Sequence, residues 1–294
     1  MEGKQVNELD ALPSFTDTSL LPVHNGAGLK KGLLSQLASY LGTKFSNPNL
    51  LINPDFKINQ RGATSYEQQG YSVDRWKIWN VTVTPNANGG ITVKNDKYTD
   101  SGNILQYLEN ATEGDSTLSC YVTSVSGTVT MVADDNSQVV LKQGLNVVHT
   151  SASTKAFTIF LNRGTSITLK WVKLEQGTVA TSFIAPDLIE EYRKCQRYFQ
   201  YIPKLYCVPL IYTKSLINAS DKYFQTTNGN LPTEMRTTKP TLAYKILGQS
   251  DNSTFTGSAS FELNSKSIDT VTLDRAISNF TITINGITLD AEIY

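Results

Sequence analysis

A chain of 294 residues, 39% hydrophobic and 18% charged, is long enough for two packed domains and low in charge for a helical protein. Its 26 acidic and 26 basic residues cancel, so no long-range attraction draws it to a phosphate backbone, which argues against a nucleic-acid partner. No apolar run approaches the roughly 18 residues of a membrane span, and MEGKQVNELD lacks the basic-then-apolar order of a secretory leader. The expectation is a chain that folds in the cytoplasm that makes it and inserts into no membrane.

Residues 1–47 form an appendage. Ser19-Leu20-Leu21-Pro22-Val23 has strand character, and Asn25-Gly26-Ala27-Gly28 supplies residues that tolerate positive φ in a turn. Leu33, Leu34, Leu37, Ala38 and Leu41 then recur at helical spacing, with Gly42 as a stop. One hairpin and one short helix bury too little to stand alone, so the segment is expected to dock on another protein or on copies of itself. The alternative is a lid on the chain's own next domain.

Residues 48–186 carry strand periodicity almost throughout. Leu118, Cys120 and Val122 alternate with Ser119 and Tyr121, and Phe157, Ile159 and Leu161 repeat the pattern. Ile167, Leu169 and Trp171 do so again around Thr168 and Lys170, which assigns Trp171, like Trp76, to the core. Turn clusters at Asn86-Ala87-Asn88-Gly89-Gly90 and Asp134-Asp135-Asn136 separate the runs, as in an antiparallel sandwich. No strand–helix–strand rhythm of a nucleotide fold is visible.

Residues 187–202 predict a linker helix. Pro186-Asp187 offers a turn and an N-cap, and Leu188, Tyr192, Cys195 and Phe199 share one face. The helix would join domains or pack about a symmetry axis. From 203 to 294 the strand signal returns: Val271 and Leu273, then Phe280, Ile282 and Ile284, with Asn285-Gly286 as a hairpin signal before Ile287-Thr288-Leu289. The fold class expected is all-β: two antiparallel β-sandwiches joined by a short helix, with a small N-terminal strand/helix attachment segment.

Little in the sequence marks catalysis. Glycoside cleavage needs two carboxylates across a cleft, and Asp74, Asp96, Asp100, Glu109, Glu113 and Asp115 stand in no context that marks such a pair. Asp74 beside Arg75 and Trp76 reads as a buried ion pair and packing element. His24 and His149 are near no nucleophile elbow, and phosphate-binding glycine loops are absent. Cys120, Cys195 and Cys207 lack metal spacing and read as buried thiols. Asp134, Asp135 and Asn136 could hold a structural calcium but read first as a solvated turn, so no cofactor or metal is expected. The chain is expected not to be an enzyme.

Sugar binding needs aromatic platforms beside hydrogen-bonding groups, because a pyranose has an apolar face and a hydroxyl rim. Candidates are Tyr66, Tyr71, Trp79 and Tyr98 in the first domain and Tyr206, Tyr212, Tyr223 and Phe224 in the second. The aromatic stretch Tyr192, Tyr198, Phe199, Tyr201 and Tyr206 exceeds what one helix face can bury, so Tyr192, Cys195, Tyr198 and Phe199 are expected at an oligomer interface.

Several motifs resemble those of bacteriophage tail-fibre and receptor-binding proteins. Asn49-Leu50-Leu51-Ile52-Asn53-Pro54-Asp55-Phe56-Lys57-Ile58-Asn59-Gln60-Arg61-Gly62, then Tyr71 and Val73-Asp74-Arg75-Trp76, are similar to the opening of their sandwich domain. Val172-Lys173-Leu174-Glu175-Gln176-Gly177 and Ala180-Thr181-Ser182-Phe183 resemble its closing strand. Cys195-Gln196-Arg197-Tyr198-Phe199-Gln200, Leu231-Pro232, Met235-Arg236, Pro240-Thr241 and Asp290-Ala291-Glu292-Ile293 follow the pattern of their C-terminal domain. The resemblance implies a virion location, a carbohydrate-binding-module-like jelly roll at 48–186 and a receptor-binding tip at 203–294. It further implies a homotrimer, attachment to other phage tail or virion proteins through residues 1–47, and adhesion to a host surface glycan. The chain lacks a heptad shaft, which implies a compact fibre or a baseplate or head appendage, and Pro54 stands where the family usually has glycine.

Overall fold

The computed structural model describes residues 19–24, 29–34, 36–37, 40, 46–67, 69–98, 100–209, 221–226, 229–237, 240–243, 246–249, 254–255, 259–277 and 282–292. Near the N-terminus β1 (Leu20–His24) pairs with β2 (Leu29–Leu33) from Leu20↔Leu33 to His24↔Leu29. The turn proposed at Asn25–Gly28 lies outside the described residues. So do Ala38 and Leu41 of the expected helix, while Leu34, Gln36, Leu37 and Tyr40 are helical.

Residues 46–186 form a two-layer sandwich. Its strands are β3 (Gly70–Tyr71), β4 (Lys77–Trp79), β5 (Thr82–Pro85), β6 (Ile91–Asn95), β7 (Gly102–Tyr107) and β8 (Ser116–Ser126). β9 (Val129–Val132), β10 (Gln138–Val140), β11 (Gly144–Thr150), β12 (Ala156–Leu161) and β13 (Thr165–Gln176) complete it. One sheet runs β10-β9-β12-β7-β4-β3 and the other β11-β8-β13-β6-β5, and every pairing is antiparallel. Because side chains alternate along a strand, each sheet turns one apolar row inward. Ile78, Ile104, Met131, Phe157 and Ile159 meet Val93, Leu118, Cys120, Val122, Leu169 and Val172 in one core. Trp76 anchors it, 4.9 Å from Phe56 and edge-on to Phe157 at 6.0 Å.

Trp171 departs from the expected core position. The register of β13 against β8 shifts between Leu169 and Trp171, so the inward row passes from Leu169 to Val172 and Leu174. Trp171 turns outward, stacked on Phe183 at 4.6 Å and beside Tyr121.

Helix α1 (Leu188–Gln196) follows, capped by the Asp187 carboxylate, which accepts from the Ile189 and Glu190 amides. Its buried residues are Glu191, Cys195 and Gln196, whereas Leu188, Ile189 and Tyr192 stay exposed. The inward face is thus rotated from the apolar stripe of the sequence, because Glu191 accepts a 2.6 Å hydrogen bond from the Asn53 amide of the sandwich.

Beyond it come β14 (Phe199–Pro209), β15 (Asp221–Thr226), β16 (Thr241–Ala243), β17 (Ile246–Gln249) and β18 (Thr254–Phe255). β19 (Ala259–Leu263), β20 (Ile268–Ile277) and β21 (Ile282–Asp290) end the series. They join in one antiparallel eight-stranded sheet in which β21 lies between β14 on one side and β16 and β17 on the other. Met235, Ile268, Val271, Ile284, Ile287, Leu289 and Ala291 make a second core. The hairpin expected at Asn285-Gly286 is absent, since β21 runs straight through. Gly286 instead takes a φ of 65°, open to glycine without a Cβ penalty, and the kink lets Ile284, Ile287 and Leu289 all reach the core. The described residues are mostly β, with short helical stretches at α1 and at Leu34, Gln36, Leu37 and Tyr40, and no helix among them is long and apolar enough to cross a membrane.

Candidate functional site

The inward row of the six-stranded sheet fixes what its outer face presents. Across five neighbouring strands the pairings Trp79↔Asn103, Asn103↔Phe160, Phe160↔Thr130 and Thr130↔Val140 align one row of side chains. Trp79, at the end of β4, is 51% exposed and Phe160, inside the sheet on β12, is 37% exposed. β7 alone separates their strands, so the two rings stand about two strand spacings, roughly 10 Å, apart. Asn103 lies between them, and its Oδ1 accepts no hydrogen bond among the described residues. Gly102 makes the arrangement feasible: a Cβ there would lie 2.3 Å from the Asn80 carbonyl oxygen, so only glycine lets β7 begin against the end of β4.

A second row runs parallel through Tyr71↔Lys77, Lys77↔Leu105, Leu105↔Thr158, Thr158↔Val132 and Val132↔Gln138. The Lys77 ammonium stands 5.8 Å from the centre of the Tyr107 ring. These rows combine flat apolar rings with amide and hydroxyl groups and carry one formal charge, that of Lys77. Such a surface suits a ligand with apolar faces and a rim of hydroxyls.

Of the aromatic candidates, Tyr71 and Trp79 come together on this face. Tyr66 does not: it packs against the sandwich core, and its hydroxyl hydrogen-bonds Asn59 Oδ1 and the Ala63 amide, with burial raising its pKa. Tyr98 ties a loop by donating to the Glu67 carbonyl. Tyr206 is exposed on β14, with the Lys204 ammonium 4.9 Å from its ring centre. Tyr212 and the side chains of Tyr223 and Phe224 lie outside the described residues. Sequence reasoning passed over Phe160 and Asn103, although the alternation that buries Phe157, Ile159 and Leu161 forces Phe160 outward.

The residues expected at an oligomer interface are mostly spent within the chain. Cys195, Tyr198 and Phe199 are buried in a seam between the sandwich and the C-terminal sheet, and only Tyr192 keeps an exposed ring. The cause is two arginines of the sandwich: Arg61 lies 3.9 Å over the Phe199 ring and Arg75 lies 3.7 Å over Tyr198. Arg75 donates to Glu292 Oε2 at 2.6 Å and to the Tyr107 carbonyl at 2.7 Å. Arg61 reaches Asp74 and Asp290 at 3.3 Å each and Glu292 at 3.6 Å. Gln60 donates to the Phe199 carbonyl, and the Ala291 amide donates to that of Tyr198. Asp74 is therefore the buried ion-pair element that its sequence context indicated. Burial pushes its carboxyl up to about 6 against the pull of Arg61, and raises Glu292 as well.

A further buried pair closes the sandwich. Lys173 and Glu175 point to the outer side of β13, where segments 46–50 and 181–186 cover them. The Lys173 ammonium meets Glu175 at 3.0 Å, Thr181 Oγ1 at 2.6 Å and the Ser182 carbonyl at 3.2 Å. Glu175 accepts from the Thr181 amide and hydroxyl. Among the described residues, no group of His, Cys, Asp and Glu is arranged to hold a metal ion.

No family model matches the chain, and no curated protein matches it. Solved structures do. A putative sugar-binding protein from Bacteroides thetaiotaomicron, 12% identical, is covered in full by 44% of this chain with a TM-score of 0.27. A family 29 carbohydrate-binding module, 10% identical, is covered in full by 42% of the chain with a TM-score of 0.28. The family 11 carbohydrate-binding module from Clostridium thermocellum, solved with a β-1,3-1,4-mixed-linked tetrasaccharide, is 8% identical; 42% of this chain covers 95% of it with a TM-score of 0.24. The likeness is to carbohydrate-binding modules and sugar-binding proteins, and what they bind is a property of those proteins.

Proposed function

We propose that this chain is an adhesive protein that grips a cell-surface polysaccharide across the six-stranded sheet and does not cleave it. The observation that carries this reading is the row Trp79–Asn103–Phe160, two exposed rings held about 10 Å apart with an amide between them. An extended glycan laid across the strands would stack alternate sugars on the rings, with Asn103 setting the spacing between them. The test is retardation of the full chain in gels containing neutral polysaccharides, alongside pull-down on bacterial cell walls. Retardation that Trp79→Ala removes supports the reading, and wild-type retardation by every polymer tried equal to that of Trp79→Ala refutes it.

The order of the sequence motifs favours a virion tail fibre or receptor-binding protein, made in the bacterial cytoplasm and joined to other tail proteins through residues 1–47. In this reading the chain assembles as a homotrimer. Leu188, 57% exposed, and Ile189, 66% exposed, lie beside Tyr192 on the outer side of α1 and supply an apolar surface for it. That same surface favours a second reading, a structural tail or head appendage whose contacts are all with protein. Cell-wall binding by the purified chain separates the two.

A further inference from the structure

The seam between the sandwich and the C-terminal sheet holds more negative charge than its arginines neutralise. Arg61 and Arg75 face Asp74, Asp290 and Glu292, so two positive charges meet three negative and one negative charge is left over. Other elements around the seam do not cancel it. From α1 come Glu191, buried and paired to the exposed Lys194, the thiol of Cys195 and the phenol of Tyr192. From the start of β14 comes the buried phenol of Tyr198. Tyr66 approaches from the sandwich, and the guanidinium of the solvent-exposed Arg236 donates to the carbonyls of Ala291 and Glu292 rather than to a seam carboxylate. Arg197 and Glu109 pair with each other at the rim.

Geometry singles out which carboxylate is left short. Glu292 receives the Arg75 guanidinium at 2.6 Å and the Arg75 amide at 3.2 Å. Asp290 is partly open to water. Asp74 is wholly buried, and its contacts are long, 3.3 Å to Arg61 and 3.2 Å to the Gln60 amide, with the Gln60 side chain as a further neutral donor. The same Arg61 guanidinium is shared with both other carboxylates.

We propose that this seam is a proton-operated lock, in which Asp74 takes up one proton in mildly acidic solution, cancels the surplus charge and tightens the sandwich against the C-terminal sheet. The sign follows from linkage. A carboxyl whose pKa is higher folded than unfolded contributes stability that is complete below its unfolded value of 3.8 and is lost as pH rises through about 6. The junction is thus firmer at pH 5 than at pH 7.5, the reverse of ordinary acid lability.

The experiment is a carboxyl carbon-13 titration of the full chain, with Asp74 identified by its loss in Asp74→Asn. Alongside it, denaturant unfolding of both proteins is followed between pH 5 and 7.5. A titration midpoint near 6, with the wild-type folding constant falling about tenfold further over that range than the variant's, supports the lock. A midpoint at or below 4 overturns it, and so does an Asp74→Asn protein with the wild-type pH dependence. Should the variant not fold, the wild-type midpoint, assigned by through-bond correlation, decides alone.

Discussion

Arg75 and Glu292 lie 217 positions apart in the chain and meet at 2.6 Å with their side chains almost wholly withdrawn from water. Arg75 holds a left-handed backbone, φ 74°, which aims its amide and its guanidinium at the same carboxylate. A non-glycine residue in that region costs about 1 kcal/mol or more, and the seam supplies what offsets it.

Glu292→Ala should therefore leave the Arg75 guanidinium buried without a counter-charge at its side, holding the Tyr107 carbonyl and the Tyr198 ring. A loss of about 3–5 kcal/mol is expected, the range for breaking a buried pair. Arg75→Met with Glu292→Leu should restore a good part of it. Denaturant midpoints of the three proteins, read as a cycle, check this.

The exposed face makes the opposite demand. Trp79→Ala and Phe160→Ala should cost about 1–2 kcal/mol each, since both rings are only partly covered, and should leave the chain folded. Each should weaken glycan retention at least tenfold. Trp79 is the most exposed of the three tryptophans, so ligand should shift the emission of the wild type and leave that of Trp79→Ala unmoved.

At Lys173, substitution by Met strands Glu175, which has no exposed surface, without its cation. A cost of about 3–5 kcal/mol is expected, with faster proteolysis at residues 178–186 as the covering segment lifts. Thr181→Val removes only the bridging hydroxyl and should cost about 1–3 kcal/mol. Limited digestion followed by mass spectrometry locates the cut.

Oligomeric state separates the outer side of α1 from the seam at the start of β14. Ile189→Asp should leave the chain folded and reduce the proposed trimer to monomer in light scattering. Phe199→Asp should instead unfold the seam, because its ring lies under Arg61. A trimer unchanged by Ile189→Asp would move the interface elsewhere.

The strands of the sandwich were legible because each buries one face, and burial on one face writes period two into the sequence. What period two could not carry was a change of phase. The irregular register at Leu169–Trp171 moves side chains between faces with no compositional mark, and the kink at Gly286 carries an Asn-Gly mark that a hairpin turn shares. The seam was unreadable for a different reason. Asp74 beside Arg75 and Trp76 marked a buried ion pair, yet the partners Asp290 of Arg61 and Glu292 of Arg75 lie over two hundred residues away, and nothing local names them. On the candidate face, Tyr71 and Trp79 were found by residue type, while Phe160 needed the alternation of β12 to be followed to its outward side.

The sandwich is closed where the chain comes in and goes out. The Leu50 amide donates to the Leu174 carbonyl, the Asn49 side chain spans the Val172 carbonyl and the Leu174 amide, and the Asn47 amide donates to Thr181. Tension between the N-terminal segment and the C-terminal sheet would thus cross from residue 47 to residue 181 through a few bonds buttressed by Lys173 and Glu175. The eleven strands between lie off that route and are held to the C-terminal sheet separately through the Arg61 and Arg75 seam, so a tethered molecule could be pulled hard while its six-stranded sheet kept its shape.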